Sequence, residues 1–196
     1  SSNLAMWLTA QAGLSECMLA LGQDEAARDV AERALRVCED KQIGAGSFDL
    51  LRRLALAEAK LGIPTAAARL DALIAQQTAS GCTGLRMGLS YEARARIAIW
   101  AADATSFERF AELTAREYRH GARAALAARY ERLMNEAARH GMQAKLSLAE
   151  FEALASIGST GVAGRDLNTL ITRNLALHRN ARERATLMSE LIRGSG

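Results

Sequence analysis

The sequence predicts an all-α protein, an α-α superhelix of stacked helical hairpins followed by a long C-terminal helix, and three observations carry that prediction. Ala, Leu, Arg and Glu dominate the 196 residues, Pro occurs once and aromatics make up 5%; such a mixture loses little rotamer freedom in a helix. Apolar residues recur at spacings of three and four, the signature of one helix face. Finally, one segment returns after forty residues: Leu21-Gly22-Gln23-Asp24-Glu25-Ala26-Ala27 reappears as Leu61-Gly62-Ile63-Pro64-Thr65-Ala66-Ala67, and more faintly as Ala101-Ala102-Asp103-Ala104-Thr105-Ser106-Phe107. A period of that size is one helix pair, which buries its apolar side by stacking on the next pair.

The first pair is expected over residues 4–40. Leu4, Trp7, Leu8, Leu14, Met18 and Leu21 follow helical spacing, Gly22 breaks the path, and Val30, Ala34 and Val37 resume it. A loop, Gln42-Ile43-Gly44-Ala45-Gly46, separates this pair from a second over 48–78, with Ser47 as N-cap and Pro64 where its missing N–H costs little. The next break is Ser80-Gly81-Cys82-Thr83-Gly84, extended to Gly88, before a third pair over 89–120 in which Thr105 and Glu108 read as a capping box. A fourth pair, 122–157, turns at Gly141 and carries Ser147 and Glu150 as another capping box. Residues 1–157 thus form one helical-repeat domain.

Overlaid at an offset of forty, positions 15, 55 and 95 are Ser, Ala and Ala, and 26, 66 and 106 are Ala, Ala and Ser, as close helix contact requires; 30, 70 and 110 are Val, Leu and Phe, apolar groups that fill the core. Leu14 and Leu54 are matched by Arg94. With Leu14-Ser15, Met18, Gly22, Ala27 and Ala34 in order, the first copy resembles a tetratricopeptide repeat. Gln11 stands where that pattern has an aromatic residue, its closing Pro is missing and the period is longer. The longer period is similar to that of the regulatory arms of large bacterial signalling proteins, multidomain Ser/Thr kinases and helical-repeat transcription regulators. The resemblance covers residues 4–140 and implies a surface for proteins, with no chemistry of its own.

Beyond residue 157, Gly158-Ser159-Thr160-Gly161-Val162-Ala163-Gly164 reads as a hinge, and 165–196 as a long helix without Gly or Pro up to residue 193. Leu167, Leu170, Asn174, Leu177, Ala181, Arg184, Met188 and Leu191 alternate spacings of three and four, as the seam of a coiled coil does. Two readings stand: a helix capping the last repeat, or a connector to a further domain that forms a homodimer through residues 165–192.

Little in the chain suggests catalysis. The glycine cluster lacks the Gly-Lys-Ser/Thr ending of a phosphate loop. His120, His140 and His178 have no second ligand at metal-binding spacing, and Cys17, Cys38 and Cys82 are odd in number and share no such spacing. Cys17 and Cys38 are expected as small buried apolar groups, and only Cys82, in a Gly-rich loop, as a thiol worth testing. No catalytic residue, cofactor or metal is therefore assigned, and an α-helical enzyme with an unrecognised site is the least favoured class.

A net charge of +3 from 25 basic and 22 acidic residues does not imply nucleic acid, and no stretch approaches the roughly 20 apolar residues of a membrane span. The cysteines fit a reducing, cytoplasmic compartment. The chain opens at Ser1-Ser2-Asn3 without Met, as a piece of a larger protein would. The expected function is a non-enzymatic protein-interaction scaffold whose concave face, lined by the first helix of each pair, takes a peptide, a protein or a neighbouring domain of the parent chain. Gln11, Arg52, Tyr91 and Arg94 are the residues assigned to that face. Arg116, Arg119, Arg123, Arg129 and Arg132, interleaved with Tyr118 and Tyr130, form a second groove-like mixture. The alternative is a sensory or regulatory arm of a bacterial multidomain kinase or transcription regulator, with the C-terminal helix as signalling connector.

Overall fold

Helix stops at regular intervals set the architecture. In a computed structural model the described residues are 2–44, 47–119 and 124–142; the expectations for 147–157, the hinge 158–164 and the helix 165–196 lie outside them. The described residues are all-α: α1 (Ser2–Ala20), α2 (Asp24–Asp40), α3 (Phe48–Lys60), α4 (Ala66–Ala79), α5 (Leu85–Trp100), α6 (Ala104–Arg119) and α7 (Ala124–Arg139). Gly22, Gln42, Gly62, Gly81, Ala102 and Gly141 all have positive φ, between 54° and 73°. Each follows a helix end closed by the same pair of backbone hydrogen bonds. In α1 these run from Gly22 N–H to the Leu19 carbonyl and from Gln23 N–H to the Met18 carbonyl; in α3 they run from Gly62 to Ala59 and from Ile63 to Glu58. This Schellman geometry satisfies carbonyls that the helix leaves open. The forty-residue echo is therefore two helix-plus-stop units of about twenty residues.

Consecutive helices pack as neighbours, and α1 also packs on α3, α3 on α5 and α5 on α7. The odd helices thus form a continuous row, with even helices lying between successive members. Apolar packing follows this order in separate clusters. Leu8, Leu35, Leu50 and Leu54 join α1, α2 and α3; Leu56, Leu70, Leu73 and Ile97 join α3, α4 and α5; Ile99, Phe107, Phe110 and Leu133 join α5, α6 and α7. Ser15, Ala55 and Ala95 are all fully buried, and the Ser15 hydroxyl donates to the Ala27 carbonyl on α2 at 2.9 Å. Small residues at this place let paired helices approach closely.

Several local expectations are corrected. Gly88 does not break the chain; α5 starts at Leu85, and Gly88 is buried inside it because a Cβ there would lie 2.6 Å from the Tyr118 ring. The break is confined to residues 80–84 and ends at Gly84, whose φ is +67° and whose N–H donates to Glu117 Oε2 at 2.5 Å. The cap of α6 comes from Asp103, which accepts from Ser106 N–H at 3.0 Å, in place of Thr105 and Glu108. The Ser106 hydroxyl, and after it this N–H, hold the Asp103 carboxyl below its usual range. Ser47 precedes α3, but its hydroxyl donates to the Gly44 carbonyl at 2.6 Å and makes no cap bond. Cys17, expected inside, is exposed, whereas Cys38 is buried. Leu14 is 44% exposed.

Two substitutions test this account. Ala102→Gly should stabilise the fold by about 1 kcal/mol, since Ala carries a steric penalty in the left-handed region that Gly does not. Gly88→Ala should cost about 1–3 kcal/mol by overpacking against the buried Tyr118 ring. Urea midpoints at constant slope read both.

Candidate functional site

The row of odd helices carries buried charge: Arg52 and Glu58 on α3, Glu92 and Arg94 on α5. In the repeat register, Ala12, Arg52 and Glu92 occupy one position and are 9, 4 and 1% exposed. A place that holds a methyl group in the first copy therefore holds a cation in the second and an anion in the third. An ionised group survives there only if its neighbours are built to receive it.

For Glu92 they are. The Tyr118 hydroxyl on α6 donates to its Oε2, and Arg129 on α7 forks onto both oxygens, Nε to Oε2 at 2.9 Å and Nη2 to Oε1 at 3.2 Å. Arg96, one turn along α5, adds Nη2 to Oε1 at 3.0 Å. Its Nε lies 3.4 Å from Glu136 Oε2, and the Trp100 indole N–H donates to Glu136 Oε1 at 2.9 Å. Burial, followed by the Glu92 carboxylate, pushes the Tyr118 phenol up, so it stays protonated as a donor. Burial works against the Arg129 charge, but Glu92 overrides it and raises Arg129 above its usual value. The network clamps α5, α6 and α7 together, and the hollow beside it, about 10 Å³, holds no more than a water.

Arg52 is placed differently. Its side chain is 5% exposed and pairs with exposed Asp49 on its own helix, while Nη1 reaches Ser90 Oγ at 3.4 Å. Burial lowers its pKa to about 10, and the nearby charges of Arg53, Arg129 and Arg86 push the same way. Arg52 and exposed Arg86 border a cleft of about 280 Å³ between α1, α3 and α5, whose wall is apolar at Leu4, Leu8, Ala12 and Phe48. Asp49 is its single lining carboxylate, and among the described residues Arg86 makes no ion pair.

Of the four residues assigned from sequence, Arg52 alone lines this cleft. Gln11 is half-buried on α1. Tyr91 and Arg94 turn toward the even helices: the Tyr91 ring lies 6.1 Å from that of Phe110, and Arg94 sits 5.0 Å over Phe110 while binding Asp71 on α4 at 2.8 Å. Tyr118 and Tyr130, read with the arginines as a groove, are 1 and 0% exposed. Glu92 and Arg86 were not singled out from the sequence; the repeat overlay at position 12 carries the signal for Glu92. Among the described residues no three His, Cys, Asp or Glu side chains converge as a metal site would need, and no helix is long and apolar enough to cross a membrane.

Comparison with protein-family models, curated proteins and solved structures gives no match.

Glu92→Gln should destabilise the fold by about 1–3 kcal/mol, because half-buried Arg129 loses its carboxylate and half-buried Arg96 keeps only Glu136. The Tyr118 contribution has a defined pH window. The folded pKa is raised above 10.0, so the stabilisation is complete below pH 10 and is lost as pH rises toward the folded value. Alkaline unfolding should accordingly be steeper in the wild type than in Tyr118→Phe, as followed by circular dichroism.

Proposed function

We propose that the chain is a non-enzymatic interaction scaffold of tetratricopeptide-like hairpins in an α-α superhelix, and that the cleft between α1, α3 and α5 receives an acidic segment of a partner protein. The observation that carries this reading is the pair Arg52 and Arg86 at the border of an apolar-walled cleft. A buried cation already crowded by three other arginines is a place where a carboxylate from outside relieves repulsion. The apolar wall adds area for the side chains flanking that carboxylate. The direct packing of α1 on α3 and of α3 on α5 supports a surface made by the first helix of each pair. Three free cysteines support a reducing, cytoplasmic setting. The alternative role, as regulatory arm of a bacterial signalling protein, rests on residues 165–196, outside the described residues.

Fluorescence anisotropy with a labelled Glu-rich peptide, and a Lys-rich peptide of equal length as control, tests the reading. The acidic peptide should bind and the basic one should not, with affinity falling as salt rises. Arg86→Glu should weaken binding about tenfold, and Asp49→Asn should strengthen it by removing the competing carboxylate. Equal binding of both peptides, or none, would overturn the assignment.

A further inference from the structure

One face of α1, continued by Leu21 just past its end, is apolar and among the described residues uncovered. Met6 is 67% exposed, Trp7 39%, Leu14 44% and Leu21 73%. The face is distinct from the cleft side of the same helix, where Leu4, Leu8 and Ala12 stand. Forty residues on from Ala10, Leu14 and Cys17, the equivalents Leu50, Leu54 and Ala57 are 0, 4 and 0% exposed; a further forty on, Ser90, Arg94 and Ile97 are 0, 8 and 4% exposed. They are covered because α1 and α2 pack on α3, and α3 and α4 pack on α5. In this fold the face is one that receives a helix.

The pattern on α1 also identifies which helix fits. Asn3, Trp7, Ala10, Leu14, Cys17 and Leu21 alternate spacings of four and three, which is a heptad seam. Trp7, Leu14 and Leu21 hold one of its two core positions, and Asn3, Ala10 and Cys17 the other: every large residue is on one and every small residue on the other. Two such seams laid antiparallel bring the first position of each helix onto the second position of its partner. Large side chains then meet small ones in every layer.

We propose that α1 pairs with α1 of a second copy of this chain, antiparallel about a two-fold axis near residue 12. In that register Leu14 packs on the partner's Ala10, Trp7 on the partner's Cys17 and Leu21 beside the partner's Asn3. A parallel pair would instead stack Trp7 on Trp7 and Leu14 on Leu14 and leave voids between the alanines, which close packing does not tolerate. No charge opposes the pairing, because Glu16 is the one charged residue of α1 and it is held by Arg53 on α3 at 2.7 Å. Antiparallel helix dipoles add a small favourable term. A 19-residue helix presents about 28 Å of seam, so the contact sits at the small end of stable interfaces and should dissociate in the micromolar range. The pairing is independent of what occupies the cleft.

Light scattering on the full 196-residue chain, diluted from roughly 100 to 1 µM, should show twice the chain mass giving way to the monomer. Leu14→Glu should be monomeric throughout, with an unchanged circular dichroism spectrum, since Leu14 lies outside the core clusters. Oxidation fixes the register. In a Cys82→Ser background, Trp7→Cys should cross-link to the partner's Cys17 and give a covalent dimer that Cys17→Ser abolishes. Positions 7 and 17 of one helix are about 15 Å apart, beyond disulfide reach. A monomeric wild type would overturn the proposal and assign the face to another partner. A dimer that survives Leu14→Glu would place the interface elsewhere, residues 165–192 included, and a Cys17 to Cys17 cross-link would mean a parallel pair.

Discussion

The architecture depends on a backbone constraint: about every twenty residues the chain turns left-handed and caps its own helix. The stop fixes where each helix ends, and the even spacing of the stops allows a register in which positions 15, 55 and 95 are all fully buried. Where glycine supplies the turn it is free of steric cost. At Gln42 and Ala102 a side chain occupies the left-handed region, so the surrounding packing must hold a conformation that the residue resists. The stop is thus enforced from two directions, locally by glycine and globally by the stack.

Once the register is set, it can be edited one position at a time. The series Ala12, Arg52, Glu92 is the clearest case, since the same buried place is apolar, cationic and anionic in successive copies. Each edit recruits its own partners: Arg52 takes Asp49 and Ser90, and Glu92 gathers Tyr118, Arg129 and Arg96. Similar edits tie hairpins internally. Glu58, at the place of Met18, receives a bidentate Arg69 from α4 with both bonds at 2.8 Å. Buried pairs of this kind add less stability than apolar contacts of equal volume, but they penalise any register slip that leaves a charge alone.

Helix positions were legible in the sequence because they depend on local signals, the glycine stops and the spacing of apolar residues. The start of α5 was not: a glycine signals either a turn or a close approach, and only the Tyr118 ring against Gly88 decides between them. The cap at Asp103 was missed because Thr105 and Glu108 offered a more familiar spacing a few residues on. For the candidate site the sequence provided residue types without directions. Arg52 lines the cleft, while Arg94 and Tyr91 face α4 and α6, because an arginine that packs over a phenylalanine and one that borders a cleft read alike. Arg86 and Glu92 carry no motif of their own; Glu92 stands out only against Ala12.

The unequal packing of the two kinds of helix has a mechanical consequence. Odd helices touch one another directly, whereas among the described residues no even helix packs appreciably on another even helix. Each even helix is instead wedged between two odd ones, α2 between α1 and α3 and α4 between α3 and α5, so the even helices are coupled to one another through the odd row. A displacement of one hairpin therefore reaches the next by way of the odd helices. The cleft lies between members of that row, so any change in the spacing of α1, α3 and α5 changes its width and carries the even helices with it.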